Sequence, residues 1–136
     1  MSHFTKLERA NIVNVDAFIS ANKELGLTEI RKNVEITDYY GNKIKVDVAI
    51  KVGKYDIALK KNDAGSYDMV ADWWGLRTSD LPAKLKACRS ETDLQDLILK
   101  YTTKHTIVAK YKAQGWRANI KEENDEFTID LVRNQY

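Results

Sequence analysis

The sequence predicts an α+β domain: an antiparallel sheet built around a four-strand meander, two to three helices on one face, and a C-terminal hairpin. Three observations predict this class. Apolar residues alternate between residues 28 and 72, turn residues break that run into strands, and helical spacing flanks it on both sides. Glycine and proline are scarce, with 6 and 1 residues, and no linker is visible, so residues 1–136 are predicted to form one domain.

The first helix is predicted over residues 14–26. Asn14 is a suitable N-cap, because its side chain can accept a hydrogen bond from a free backbone N–H. Gly26 fits the left-handed position at which helices commonly end. The apolar face of this helix consists of Val15, Phe18, Ile19 and Leu25.

The meander is predicted from four rows of apolar residues, each on one face of a strand. The rows are Val34 and Ile36; Ile44, Val46, Val48, Ile50 and Val52; Tyr55, Ile57 and Leu59; and Tyr67, Met69 and Ala71. Turn residues separate the rows at residues 40–42, 53–54 and 62–66.

Matching the apolar faces sets the register of the meander. It places Lys51 opposite Asp56, Lys60 opposite Asp68, and Asp56 opposite Asp72. The second face of the sheet is then expected to be a solvated surface of interleaved lysines and aspartates, with exposed pairs worth roughly 0.2–1 kcal/mol each.

After the fourth strand, the sequence predicts a loop and then a short helix over residues 81–88. Asp80 is its expected cap, and Pro82 is tolerated in the first turn. A longer helix is predicted to start at Ser90 and to end at Gly115. A closing hairpin is predicted over residues 116–122 and 127–132, with its turn at residues 123–126.

The strongest candidate for a functional surface is the Ala-Asp-Trp-Trp-Gly segment at residues 71–75. If the strand continues through it, Trp73 and Trp74 point to opposite faces. One ring can then enter the core while the other is exposed as an anchor for a partner. The alternative is that both rings are packed in the protein interior, as aromatic side chains usually are.

Asp56 and Asp72 form a second candidate site, because neighbouring carboxylates can share a proton or hold a hard cation. Lys51 and Lys60 lie among them in the predicted register and would compete with a metal. The pattern therefore favours a charged sheet face, and no metal or cofactor is predicted.

Catalytic motifs are absent from the sequence. It has no HExxH, GxSxG, P-loop or GxGxxG pattern, and its single cysteine, Cys88, has no histidine near it in sequence. His3 and His105 have no partner at metal-ligand spacing. A non-catalytic role is therefore favoured over an enzyme.

Nucleic-acid binding is an alternative, because lysines are frequent between residues 43 and 61, and four tyrosines lie on the same meander: Tyr39, Tyr40, Tyr55 and Tyr67. Against it, Tyr55 and Tyr67 are in phase with the core rows, and the net charge is only +2.

The expected location is a reducing compartment such as the cytoplasm. One cysteine cannot form an internal disulfide, the first residues do not resemble a signal peptide, and the apolar runs are too short to cross a bilayer. No membrane insertion is expected.

The sequence resembles a divergent member of the hypothetical chloroplast reading frame thirty-five family of cyanobacteria and algal plastids. The residues that carry the resemblance are Met1-Ser2-His3-Phe4, Tyr55-Asp56-Ile57-Ala58, Gly65-Ser66-Tyr67-Asp68-Met69-Val70-Ala71-Asp72-Trp73-Trp74-Gly75, Tyr101 and Gln114-Gly115-Trp116. The family has no established reaction, so the resemblance implies no particular activity. It implies photosynthetic cells, a cytoplasmic or plastid-stromal location, and an assembly or accessory role, since members tend to be encoded near an AAA-type ATPase.

These observations favour a non-catalytic interaction module that assists assembly or regulation of a larger complex. The expected anchor is Trp73 or Trp74, with Asp56 and Asp72 supplying electrostatic specificity and Tyr55 as a further candidate contact. The alternatives are single-stranded nucleic-acid binding through the lysine-rich sheet, and small-ligand binding or enzymatic activity at Asp56 and Asp72. The sequence does not indicate an oligomeric state.

Overall fold

A computed structural model describes residues 4–123 and 126–133, apart from the side chains of residues 8 and 9. Residues 1–3 of the family resemblance, and Asn124 and Asp125 of the predicted last turn, lie outside this description. The elements are β1 (Thr5–Ile12), α1 (Val15–Glu24), β2 (Ile30–Thr37), β3 (Lys43–Val52), β4 (Tyr55–Lys61), β5 (Tyr67–Ala71), α2 (Trp73–Arg77), α3 (Ala83–Lys86), α4 (Glu91–Ala113), β6 (Trp116–Glu123) and β7 (Glu126–Arg133).

The main sheet has five antiparallel strands in the order β1-β5-β4-β3-β2. Strands β2 to β5 form the predicted meander, and the α+β class with its closing hairpin is confirmed. Strand β1 was not predicted. Its large apolar residues Leu7 and Ile12 are separated by an irregularity in the pairing with β5, so the strand lacks the alternation that identifies the others.

The predicted register of the meander is confirmed where the ladders extend. Lys51 lies opposite Asp56, and Lys60 lies opposite Asp68. The predicted neighbours Asp56 and Asp72 fit this register but lie one step beyond the ladder. The β4–β5 ladder ends at Ile57 and Ala71, because the next residue leaves the strand and becomes the N-cap of α2.

The predicted N-cap at Asn14 and the predicted helix start at Ser90 are confirmed. Asn14 accepts a 3.0 Å hydrogen bond from the N–H of Ala17, and Ser90 accepts one of 3.0 Å from the N–H of Asp93. Asp80 does not cap the short helix, which starts only after Pro82. A proline disfavours helical geometry in the residue before it, so the predicted helix over residues 81–88 shortens to α3.

The main core lies between one face of the sheet and the helices, and all four helices named above contribute to it. Its largest fully buried members are Phe18, Ile50, Ile57, Leu59, Met69, Leu76, Leu85, Leu94, Ile98 and Tyr101. This arrangement confirms that helices pack on the apolar face.

The second face of the sheet is largely buried, so the predicted solvated surface is wrong for most of this face, although Lys51 stays exposed. Ile36 and Val46 pack there with Ala49 and Ala58 in a second cluster. Val46 therefore leaves the apolar row in which the alternation placed it with Val48. The break in the row lies opposite Asn33 of β2, between Lys32 and Val34, which pair with Val48 and Val46. Asn33 has φ +52°, a left-handed conformation that asparagine tolerates.

Helix α4 links the main sheet to the hairpin β6–β7, which forms a separate two-stranded sheet. The Phe127 ring of the hairpin meets Tyr101 of α4 edge-on, with 5.1 Å between ring centroids. Within the described residues, no helix is long and apolar enough to span a membrane.

An ion pair joins the end of α1 to α4. The ammonium of Lys104, a residue only 6% exposed, lies 2.6 and 2.7 Å from the two carboxylate oxygens of Glu24. Nε2 of His105 lies 2.7 Å from the same carboxylate. Burial opposes ionisation of Glu24, but hydrogen bonds from Lys104 and His105 outweigh it and lower its pKa below the ordinary 4.5.

We expect Glu24→Gln to lower the free energy of unfolding at pH 7 by roughly 1–3 kcal/mol, nearer the lower value because Glu24 is partly exposed. Because the folded-state pKa is depressed, the stabilisation is present above pH 4.5 and is lost as pH falls through the folded-state value. Urea unfolding at several pH values should show the gap between wild type and variant closing below about pH 4.5. Glu29→Gln, at an exposed glutamate, is the control. A gap that stays constant with pH would contradict the role of the ion pair.

Candidate interaction surface

The two tryptophans lie on helix α2, and the prediction that they lie on a strand is wrong. The Asp72 carboxylate accepts a 3.0 Å hydrogen bond from the N–H of Gly75, which starts a helix where the alternation of β5 ends. Successive residues on a helix point in different directions, so the two rings still separate. Trp73 is 3% exposed and belongs to the main core, whereas Trp74 is 45% exposed.

Asp72 also connects α2 to the turn between β2 and β3. Its second carboxylate oxygen accepts a 2.9 Å hydrogen bond from the N–H of Tyr39, which is 33 positions earlier in the chain. A single buried side chain thus fixes the backbone of two distant segments that both carry exposed aromatic residues.

Asp38 holds the conformation of this turn. Its carboxylate accepts hydrogen bonds from the N–H groups of Tyr40 and Asn42, at 3.0 and 2.8 Å, and from the Asn42 side chain at 2.9 Å. Gly41 supplies the left-handed residue of the turn, with φ +82°. The turn is therefore a defined structure, and Tyr39 and Tyr40 have a fixed backbone.

The rings of Tyr39, Tyr40 and Trp74 form one exposed group, named here the aromatic patch. Tyr39 packs edge to face against both neighbours, with centroid distances of 5.3 Å to Tyr40 and 5.7 Å to Trp74. The tyrosines are 58% and 59% exposed. Side chains of this size with half their surface in water are typical of sites that bind a partner.

Tyr55 lies beneath the patch and supports α2. A Cβ atom placed on Gly75 would lie 2.8 Å from Cζ of the Tyr55 ring, so glycine is needed for this close approach. Burial raises the pKa of Tyr55, and the negative charges of Asp72 and Asp38 contribute to the shift.

Asp56 does not join this surface through any contact seen in the structure. It is buried and forms an ion pair with Arg31 of β2. Of the predicted site residues, the structure therefore brings together Trp74, Asp72 and Tyr55, puts Trp73 in the core, and ties Asp56 to β2.

Sequence reasoning did not group Tyr39 and Tyr40 with the tryptophans. The local signal was present, since Asp38-Tyr39-Tyr40-Gly41-Asn42 combines turn residues with two aromatics that cannot both be buried in a tight turn. Their proximity to Trp74 depends on the long-range hydrogen bond to Asp72, which no local pattern indicates.

Among the described residues, two further candidates lack support: Cys88 as a nucleophile and a cluster of metal ligands. Burial raises the pKa of the Cys88 thiol, and the charge of Asp93 adds to this, so Cys88 is not activated as a nucleophile. Within the described part of the chain, no group of three or more His, Cys, Asp or Glu side chains could hold a metal ion.

The fold and surface define a small α+β domain that presents a rigid aromatic patch. The chain belongs to the DUF1257 family, described as a protein of unknown function, and the family match covers residues 21–132. No curated protein and no solved structure matches the chain.

Proposed function

We propose that this protein is a non-catalytic interaction module that assists assembly or regulation of a larger complex, and that the aromatic patch is its docking surface. One observation carries the proposal: three aromatic side chains from two distant segments are held together in water instead of in the core. Tryptophan and tyrosine dominate the energetics of protein interfaces.

The rigidity of the patch favours binding. Asp38 and Asp72 fix the backbone on both sides of it, and the edge-to-face contacts of Tyr39 restrain the rings. Because these groups are ordered before binding, this chain loses less conformational entropy when a partner docks.

The resemblance to the chloroplast reading frame thirty-five family supplies the proposed setting. It supports a role in photosynthetic cells, in the cytoplasm or plastid stroma, with an AAA-type ATPase system as a candidate partner. This setting is independent of the argument from the patch.

Trp74→Ala is expected to weaken partner retention at least tenfold while leaving the fold intact, since the truncation of an interface anchor costs about 2 kcal/mol or more. The measurement is a pull-down from a photosynthetic host lysate at moderate salt, with wild type and variant as parallel baits and circular dichroism to confirm folding. Ile120→Ala is the matched control, because Ile120 is comparably exposed, at 42%, but lies on β6. Equal retention by Trp74→Ala and wild type would refute the docking surface.

The same experiment separates the alternative functions. Binding through the exposed lysines of β3 and β4, such as Lys45 and Lys51, would retain nucleic acid, survive Trp74→Ala and weaken steeply with salt. A ligand site that uses Asp56 and Asp72 would be lost in Asp56→Asn and kept in Trp74→Ala.

A further inference from the structure

We propose that the aromatic patch binds the guanidinium group of an arginine from the partner protein. This binding mode rests on the proposed docking function and adds the chemistry of the group that docks. Three properties of the patch support it: the orientation of the rings, the negative charge of Asp38 next to the tyrosines, and the absence, among the described residues, of a lysine or arginine over the rings.

The ring orientations leave aromatic faces available. Tyr39 is inclined by 86° to Tyr40 and by 79° to Trp74, so each contact places a ring edge against a single ring face and leaves the remaining faces uncovered by the other rings of the patch. About half of each side chain is open to water. A guanidinium group is planar and weakly hydrated, and it stacks on such faces while the negative ring quadrupole attracts its charge.

A buried negative charge lies directly behind the tyrosines. Asp38 is 5% exposed, and its hydrogen-bond donors are the neutral amides of Tyr40, Asn42 and Phe4. Burial opposes its ionisation, but these donors lower its pKa below the ordinary value, so the group is charged at neutral pH. Among the described residues, no lysine or arginine forms an ion pair with Asp38. This arrangement favours an incoming cation over an anion or a neutral apolar segment.

Several other aromatic rings of the protein already carry a cation from the chain itself. Lys104 lies over Tyr101 and Phe127, Lys110 over Tyr111, and Arg133 over Trp116. In the part of the chain that the structure describes, none lies over Tyr39, Tyr40 or Trp74. Among the described residues, the faces of the patch are therefore not occupied by a cation of this chain and remain available to a cation from a partner.

The test uses the full chain and two matched small probes, N-acetyl-arginine amide and its neutral isostere N-acetyl-citrulline amide. The indole N–H resonances of the three tryptophans are followed by NMR during titration. Arginine amide is expected to shift the Trp74 resonance in a saturable way, at least tenfold more tightly than citrulline amide, and to leave buried Trp73 unchanged. Equal responses to both probes, or no response to either, would overturn the guanidinium assignment.

Asp38→Asn tests the role of the charge. Asparagine keeps an oxygen for the N–H groups of Tyr40 and Asn42, and the Asn42 amide can rotate to accept from the new side chain, so the turn is expected to survive. Arginine amide should then bind several-fold more weakly, and unchanged affinity in a folded variant would contradict the electrostatic contribution.

Competition in the pull-down separates this inference from the docking proposal. Arginine amide in excess should release the partner from the wild-type bait, and citrulline amide should not. If a proline-rich peptide releases the partner and arginine amide does not, the guanidinium assignment fails, but docking at Trp74 stands. If Trp74→Ala retains the partner, both fail.

Discussion

Trp73→Ala is expected to lower the free energy of unfolding by about 3–5 kcal/mol, whereas Trp74→Ala should cost less than about 1 kcal/mol. Both residues are tryptophans and adjacent in the chain, so the difference between the two losses of unfolding free energy reports on their environments. The Trp73 ring fills the main core beside residues such as Leu76, and its removal leaves a cavity there. Trp74 is 45% exposed, so its truncation removes less buried surface, including the contact with Tyr39, and leaves no enclosed cavity. Urea unfolding of both variants measures the two values.

Trp73→Phe is the control for cavity size. The indole N–H of Trp73 is buried and has no hydrogen-bond partner among the described residues, so phenylalanine removes an unsatisfied donor while keeping most of the ring. We expect a cost clearly below that of alanine. Similar costs for Trp73→Ala and Trp74→Ala would contradict the assignment of one ring to the core and the other to solvent.

Gly75→Ala is expected to destabilise the protein by about 1–3 kcal/mol, although alanine is the better helix former by about 1 kcal/mol. The added methyl group would lie within 3.0 Å of three carbon atoms of the Tyr55 ring, so the ring or α2 must move. The backbone of Gly75 does not require glycine, because its φ is not positive, and the penalty is therefore steric. Thermal and urea unfolding measure the change.

A double-mutant cycle with Tyr55→Leu tests this cause. Leucine lacks the far ring carbons, so in that background Gly75→Ala should be neutral or stabilising through helix propensity. The sign of its effect should thus reverse. A penalty that persists in the Tyr55→Leu background would show that the close approach to Tyr55 is not what excludes a side chain at this position.

The meander was predictable because its information is local. Alternating apolar residues identify β3 and β4, the Gly53-Lys54 turn fixes their register, and one short-range hydrogen bond each explains the caps at Asn14 and Ser90. These features depend on residues that are close in sequence, which is why periodicity and capping rules recover them.

The wrong predictions arise from the tertiary structure, which the local sequence pattern does not specify. Asp72 reads equally well as the last residue of a strand and as a helix cap, and the structure uses it as a cap. The second face of the sheet was expected to be solvated, but Ile36 and Val46 cover it where the apolar row breaks opposite Asn33. Strand β1 depends on its pairing with β5 more than on its own pattern.

Part of the candidate site was predictable from the sequence because some of its residues are close together in the chain. Trp74, Asp72 and Tyr55 lie in or near one unusual sequence block, so composition alone draws attention to them. Tyr39 lies beside Trp74 because its N–H donates a hydrogen bond to Asp72, a residue 33 positions later in the chain. A single sequence carries no pattern that specifies such a contact.

The bridge formed by Asp72 also has a consequence for the order of events during synthesis. A growing chain that has reached only residue 61 contains both tyrosines of the turn, but neither the carboxylate that positions Tyr39 nor the Trp74 ring beside it. The complete surface arises only after α2 has formed on the finished sheet. A partner that recognises all three rings would therefore select folded molecules over nascent ones, which suits a factor that enters an assembly pathway only once it is complete.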